Sequence, residues 1–122
     1  MKIIIVEDDK VLSLLLSKMI ERLNYEVLEI ITKGHEAIEK IDALNPDLVL
    51  MDIMLEDEVD GIDAMTALRE KSNNVPVIYI TGNSDPLNRE RAKTTDFVDY
   101  LIKPVSFDEL KSTINRLAEK ES

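Results

Sequence analysis

The sequence predicts an α/β domain in which a parallel five-stranded sheet, in the strand order 2-1-3-4-5, forms the middle layer of a three-layer (βα)5 sandwich. Three observations predict it. Five short apolar runs alternate with longer segments whose apolar residues recur at helical spacing. The runs near residues 3, 48 and 77 are almost wholly apolar, as strands covered on both faces must be. The second and fifth runs carry Glu29 and Asp99, which marks them as sheet edges, and strand–helix alternation of this kind calls for right-handed crossovers.

Each element follows from local pattern. Strand 1 is Ile3 to Val6, and the first helix is expected to bury Leu12, Leu16, Met19 and Leu23. Strand 2 covers Val27 to Ile31, followed by a helix with an Ala37, Ile38, Ile41 and Leu44 stripe. The Asn45-Pro46-Asp47 turn leads into strand 3, Asp47 to Met51, and Ile62, Met65 and Leu68 define the third helix. Strand 4 is Val75 to Ile80. Asp85-Pro86 then supplies a cap and a helix-starting proline for a fourth helix near residues 86 to 95. That helix offers only Leu87 and Ala92 to the core, so weak docking is expected. Strand 5 covers Val98 to Ile102, and Ser106 with Glu109 makes a capping-box pattern ahead of Phe107, Leu110, Ile114 and Leu117.

A chain of 122 residues has room for one domain, and 44% hydrophobic with 33% charged residues suits a folded one. With 15 Lys and Arg against 25 Asp and Glu, the net charge of -10 repels nucleic-acid phosphates and anionic lipid surfaces, so no direct nucleic-acid or membrane partner is expected. There is no Cys, and the apolar run after Met1 is too short for a signal peptide or a membrane span. A cytoplasmic protein is expected. The last helix reaches the end of the sequence, so residues 1–122 are read as one domain with no output domain. His35 is read as solvent-facing. Val11, Leu14 and Leu15 exceed what the first helix needs for its core stripe and form either a docking patch or extra core.

In an open sheet of this kind ligands bind outside the carboxyl ends of the strands. Strand 1 ends in Glu7-Asp8-Asp9, strand 3 in Asp52, strand 4 in Thr81-Gly82 and strand 5 in Lys103-Pro104. Taken singly, each has a bland reading as a turn, a cap or surface punctuation, and Asp9 is read as a helix cap. Together they bring carboxylates, a hydroxyl and an ammonium to one crevice. Carboxylates held close repel one another unless a cation neutralises them, and Mg²⁺ prefers such oxygens. Phosphoryl transfer needs charge neutralised on the equatorial oxygens, which Mg²⁺, Lys103 and the Thr81 hydroxyl supply, leaving Asp52 as the nucleophile.

The strings Ile5-Val6-Glu7-Asp8-Asp9, Leu48 to Leu55, Asp60-Gly61, Ile80-Thr81-Gly82 and Asp99 to Pro104 resemble those of response-regulator receiver domains over essentially the whole chain. The resemblance implies a flavodoxin-like fold and a phosphoacceptor at Asp52, with Mg²⁺ held by Glu7, Asp8, Asp52 and the Met54 carbonyl. It further implies that Thr81 and Lys103 bind the phosphoryl group, that Tyr100 acts with Thr81 in the switch, and that Lys103-Pro104 is cis. The donor would be a histidine kinase or a histidine phosphotransfer protein. The output would be a protein effector, or a phosphorylation-dependent homodimer, at the face of helix 4 and strand 5. In this reading the Tyr100 ring enters space vacated when Thr81 moves toward the phosphoryl group.

The sequence departs from the family pattern in places. Glu56 follows Leu55 where Pro is usual, and Gly61 stands nine residues after Asp52 where eight is usual, so the loop is one residue longer and acidic. Asp96-Phe97 replaces a Gly often found before the Tyr100 position. Met54 and Asn83 occupy the two positions that the family varies to tune hydrolysis, and the thioether of Met54 cannot orient a water, so slow loss of the phosphoryl group is expected. The competing function is a Mg²⁺-dependent phosphohydrolase of similar topology, although Glu7-Asp8-Asp9 is not the Asp-x-Asp such enzymes carry after strand 1. A flavin carrier would need a phosphate-binding loop where this chain places three negative charges.

Overall fold

A computed structural model describes residues 1–82 and 85–121, with the side chain of Glu121 left out. The chain runs β1 (Lys2–Val6), α1 (Lys10–Arg22), β2 (Glu26–Ile31), α2 (Gly34–Leu44), β3 (Leu48–Met51), α3 (Gly61–Glu70), β4 (Val77–Thr81), α4 (Pro86–Lys93), β5 (Asp99–Ile102) and α5 (Phe107–Glu121). All four strand pairings are parallel, in the order β2-β1-β3-β4-β5. The predicted fold class therefore holds, edge strands included. Between β1 and β3 the chain reverses the direction in which it adds strands, and the crevice at their carboxyl ends is the natural ligand position.

Alternation along the strands sorts the core into two clusters. Ile4, Val6, Val49, Met51, Val77, Tyr79 and Tyr100 face α2, α3 and Ala92 of α4. Ile3, Ile5, Leu48, Leu50, Ile78, Ile80 and Leu101 face α1 and α5. Both faces of the central strands are buried, which is why their sequences read as continuous apolar runs.

Two helical stripes differ from expectation. In α1 the fully buried positions are Ser13, Leu16 and Ile20, whereas Leu12, Met19 and Leu23 are only half-buried. Leucines at 12, 14, 15 and 16 leave the helical phase degenerate, and packing on the sheet selects a face turned by about one residue. Leu44, placed in the α2 stripe, is exposed because it sits at the last turn, where Asn45 ends the helix in the left-handed region. Capping follows the sequence closely. The Asp9 carboxylate accepts from Val11 and Leu12 N–H, Asp85 accepts from Leu87 N–H ahead of Pro86, and Ser106 Oγ accepts from Glu109 N–H at 3.1 Å.

Docking of α4 is as weak as expected, with one buried side chain, Ala92, but Leu87, the other residue the sequence offers to the core, is exposed. Polar ties hold it instead. Arg91 Nη1 lies 3.0 Å from Asp60 Oδ2 and Nη2 lies 3.1 Å from Asp63 Oδ1, so α4 grips the capping box that starts α3. Beyond its last turn, Thr95 Oγ1 lies 2.8 Å from the hydroxyl of Tyr79, a group that burial pushes up to about 12 and keeps neutral. Asp96, at the place where the family often has Gly, adopts φ 52°, so an aspartate there takes the left-handed conformation that Gly would adopt freely.

Candidate functional site

β1, β3, β4 and β5 deliver their terminal residues to one crevice. Glu7 and Asp52 are buried and Asp8 is half-buried, and one carboxylate oxygen from each lies within 4.8 Å of the others. Lys103 reaches across from the end of β5, with Nζ 2.8 Å from Glu7 Oε1 and 3.0 Å from Asp52 Oδ2. Its backbone N–H donates to the Thr81 carbonyl at 2.9 Å, and the following peptide to Pro104 is cis, as expected. One ammonium thus contacts two of the three carboxylates.

The remaining oxygens are also held. Asp52 Oδ1 accepts from its neighbour Ile53 N–H at 2.8 Å, and Glu7 Oε2 accepts from Asp9 N–H at 3.1 Å. Glu7 Oε1 is buried, and its contact with Lys103 is an ion pair that lacks the alignment of a hydrogen bond. Burial pushes the Glu7 carboxyl up from 4.5 to about 7, with repulsion from Asp52 adding to it and Lys103 and the Asp9 amide working against it. Burial pulls the Lys103 ammonium down, but its contacts with Glu7 and Asp52 outweigh this and its pKa is raised. An excess of buried negative charge, an oxygen without an aligned donor and an all-oxygen donor set fit a hard divalent cation such as Mg²⁺.

Around this centre the other predicted residues fall in different places. Thr81 is buried at the end of β4. The Met54 side chain is 65% exposed and points away from the core. Asn83 lies outside the described residues. The Tyr100 ring is buried in the cluster on the α2, α3 and α4 side, 5.9 Å from the rings of Tyr79 and Phe97, with the Arg89 guanidinium 5.0 Å from its centroid. The ring lies inside in this structure, packed by Tyr79 of the neighbouring strand β4 and by Phe97 of the α4–β5 connection. Gly82 leaves open space, an added Cβ meeting only Lys103 Cδ at 3.9 Å. Gly61 does not, since an added Cβ would come 2.1 Å from the Asp52 carbonyl oxygen. The longer loop therefore still closes tightly behind Asp52, with Gly61 N–H donating to the Ile53 carbonyl at 2.8 Å.

The feature that sequence reasoning missed is Asp57. Its two carboxylate oxygens accept from Gly34 and His35 N–H at 2.8 and 3.0 Å. Burial opposes ionisation, yet the amides of His35 and Gly34 prevail and hold the carboxyl below its ordinary value. The sequence signal was present: an unexplained acidic insertion, and a second helix entered through Thr32-Lys33-Gly34 without a capping side chain. His35 itself is exposed, as expected.

A doubly wound α/β domain with an acidic cluster and a lysine at its switch point defines the class of phosphoryl-accepting signalling modules. Comparison with known proteins agrees, and the chain belongs to the response regulator receiver domain family, whose profile matches residues 3–115. It is similar to the transcriptional regulatory protein TrcR of Mycobacterium tuberculosis, at 31% identity over 99% of this chain and 46% of that protein. It is also similar to the regulatory protein LuxO of Vibrio cholerae, at 36% identity over 78% of this chain and 21% of that one. The chain thus spans half or less of the length of these relatives. Among solved structures, the signal receiver domain of a modulated diguanylate cyclase from Desulfovibrio desulfuricans superposes with TM-score 0.88 at 35% identity, covering 98% of this chain and 94% of that one. The receiver domain of a sensor histidine kinase from Pseudomonas aeruginosa, with a magnesium ion coordinated in its active-site cleft, gives TM-score 0.83 at 31% identity, with 94% of each chain covered. The chain is a receiver domain of two-component signalling, and the phosphohydrolase alternative is not favoured. No helix among the described residues is long and apolar enough to cross a membrane.

Proposed function

We propose that Asp52 is the phosphoacceptor, that Glu7, Asp8, Asp52 and the Met54 carbonyl form the protein side of a Mg²⁺ site, and that Thr81 and Lys103 bind the phosphoryl oxygens. The observation that carries this reading is the meeting of three carboxylates at the strand ends, two of them paired with Lys103, whose Nζ lies 3.0 Å from Asp52. The Ile53 N–H fixes the Asp52 carboxylate before a donor arrives. An Asp52 oxygen then forms a bond to phosphorus as the bond from phosphorus to the donor imidazole nitrogen breaks, and the imidazole departs. Lys103 shifts its N–H donors from carboxylate to phosphoryl oxygen, and the Thr81 hydroxyl takes a second oxygen. Mg²⁺, when bound, neutralises the charge shared by the acidic trio and the phosphoryl group. The domain catalyses only its own phosphorylation and the later hydrolysis of the acyl phosphate.

The donor in this reading is a histidine kinase or a histidine phosphotransfer protein in the cytoplasm. It docks on Val11, Leu14 and Leu15 of α1, which are 79%, 57% and 49% exposed beside the acidic pair and take no part in the core. A protein effector, or a second copy of the domain, takes the face of α4 and β5. With Tyr100 already inside, phosphorylation stabilises an arrangement that the unmodified domain samples. Incubation with a small phosphodonor and Mg²⁺, read by intact mass, tests the proposal. One added phosphoryl group on the wild type and none on Asp52→Asn is the expected result, and addition to both would remove Asp52 from its role.

A further inference from the structure

The loop between β3 and α3 carries an extra residue and four acidic side chains, Glu56, Asp57, Glu58 and Asp60, close to a site already crowded with negative charge. Asp60 caps α3. Asp57 turns the other way and caps α2, a helix 23 residues earlier in sequence whose own N-cap residue, Lys33, has no acceptor to offer. The Glu56 N–H donates to the Thr32 carbonyl at 3.2 Å, one residue before that cap. Gly34 receives the loop closely enough that an added Cβ would stand 2.1 Å from the Val59 carbonyl oxygen. Among the described residues, the hydrogen bonds that residues 54–59 make to other segments all go to residues 32–35. Met54 stands three residues before Asp57 with its own side chain in solvent. Its carbonyl is held from either side, by Ile53 against Asp52 and Gly61 before it, and by Leu55 against the core and Asp57 against α2 after it.

We propose that Asp57 is a positioning residue for the phosphoryl and metal site: by capping α2 across the loop it fixes the Met54 carbonyl, so that the first turn of α2 and the occupancy of the site are linked. The proposal rests on the reading of Met54 and the acidic trio as the Mg²⁺ site. Linkage is reciprocal, and whatever Asp57 contributes to metal affinity, bound metal returns as protection of the α2 amides. The extra residue in the loop gains a role, since it gives the chain the length to reach Gly34 and still return to Gly61.

The test compares Mg²⁺ dissociation constants of the wild type, Asp57→Ala, Asp57→Asn and Glu58→Ala by calorimetry, together with amide exchange at Gly34 and His35 with and without Mg²⁺. Loss of an outer partner of a ligand weakens metal binding by about tenfold or more, which is the expectation for Asp57→Ala. Asp57→Asn keeps an acceptor for one of the two amides and should recover to within about threefold of the wild type. Glu58→Ala removes the same charge from the same loop and reports charge alone. Equal affinities for Asp57→Ala and Glu58→Ala would overturn the proposal, as would Asp57→Asn matching Asp57→Ala. Should Asp57→Ala fail to fold, the wild type decides: Mg²⁺ slows exchange at Gly34 and His35 if the linkage is real, and unchanged rates refute it. A wild type that binds no Mg²⁺ at all would instead bring down the reading of the site on which the proposal stands.

Discussion

Glu7→Gln isolates the electrostatic cost built into the site. Glu7 is 2% exposed, and its carboxyl stands at about 7 in the fold against 4.5 ordinarily, so the metal-free native state binds this proton more tightly than the unfolded chain does. The stability tied to the proton is full below 4.5 and is lost as pH rises through about 7. At ~1.4 kcal/mol per pH unit, ionised Glu7 costs about 3 kcal/mol at pH 8 and under about 1 kcal/mol at pH 5, so the metal-free protein should lose roughly 2 kcal/mol between them. Asp57 does not enter this window, because its lowered pKa confers stability that is present above 3.8 and lost only below it. Glutamine keeps the shape but loses one acceptor, to the Asp9 N–H or to Lys103, at a cost of about 1 kcal/mol. Glu7→Gln should therefore be slightly less stable than the wild type at pH 5 and more stable by about 1–2 kcal/mol at pH 8. Urea denaturation followed by circular dichroism in the presence of a chelator measures both. Millimolar Mg²⁺ should reverse the order at pH 8, because binding to the native state stabilises the wild type by mass action and the variant has lost a charge that attracts the ion. Parallel pH dependence of the two proteins would refute the argument.

Three further outcomes are expected. Gly61→Ala must move backbone at the acceptor and should cost about 3 kcal/mol in the same denaturation assay, whereas Gly82→Ala meets only the flexible Lys103 stem and should cost little. Arg91→Ala should change global stability by no more than ~1 kcal/mol, because the pairs are largely exposed, yet speed amide exchange through α4 once its tie to Asp60 and Asp63 is gone. Met54→Asn should shorten the lifetime of the phosphorylated protein by about tenfold, one oriented water being worth ~1–2 kcal/mol, and an unchanged decay rate would show that this position does not set the lifetime.

Most of the fold was legible because the strands are buried on both faces and punctuated by caps whose chemistry is local: Asp9, Asp85 and Asn45 each do what their identity suggests. The site was legible for a different reason. Its residues stand at strand ends, where topology alone brings Glu7, Asp8, Asp52 and Lys103 together. What escaped depends on contacts between segments distant in sequence. The rotation of α1 toward Ile20, the Asp57 cap on α2 and the Arg91 grip on α3 join partners whose proximity no local pattern encodes. The place of the Tyr100 ring is set by contacts of the same kind, with Tyr79 and Phe97.

The division of the core by the sheet separates two tasks. The acceptor loop, through Ile53, Leu55 and Val59, and the Tyr79–Phe97–Tyr100 group all pack in the cluster on the α2, α3 and α4 side. The apolar residues by which α1 is rooted lie in the other cluster, with α5, across the buried central strands. Under the proposed function, rearrangement after phosphorylation would run its course on one side while the α1 surface keeps its shape. A donor docked there would meet the same surface before and after transfer, and its release would then follow from the changed charge at Asp52 rather than from a remodelled helix.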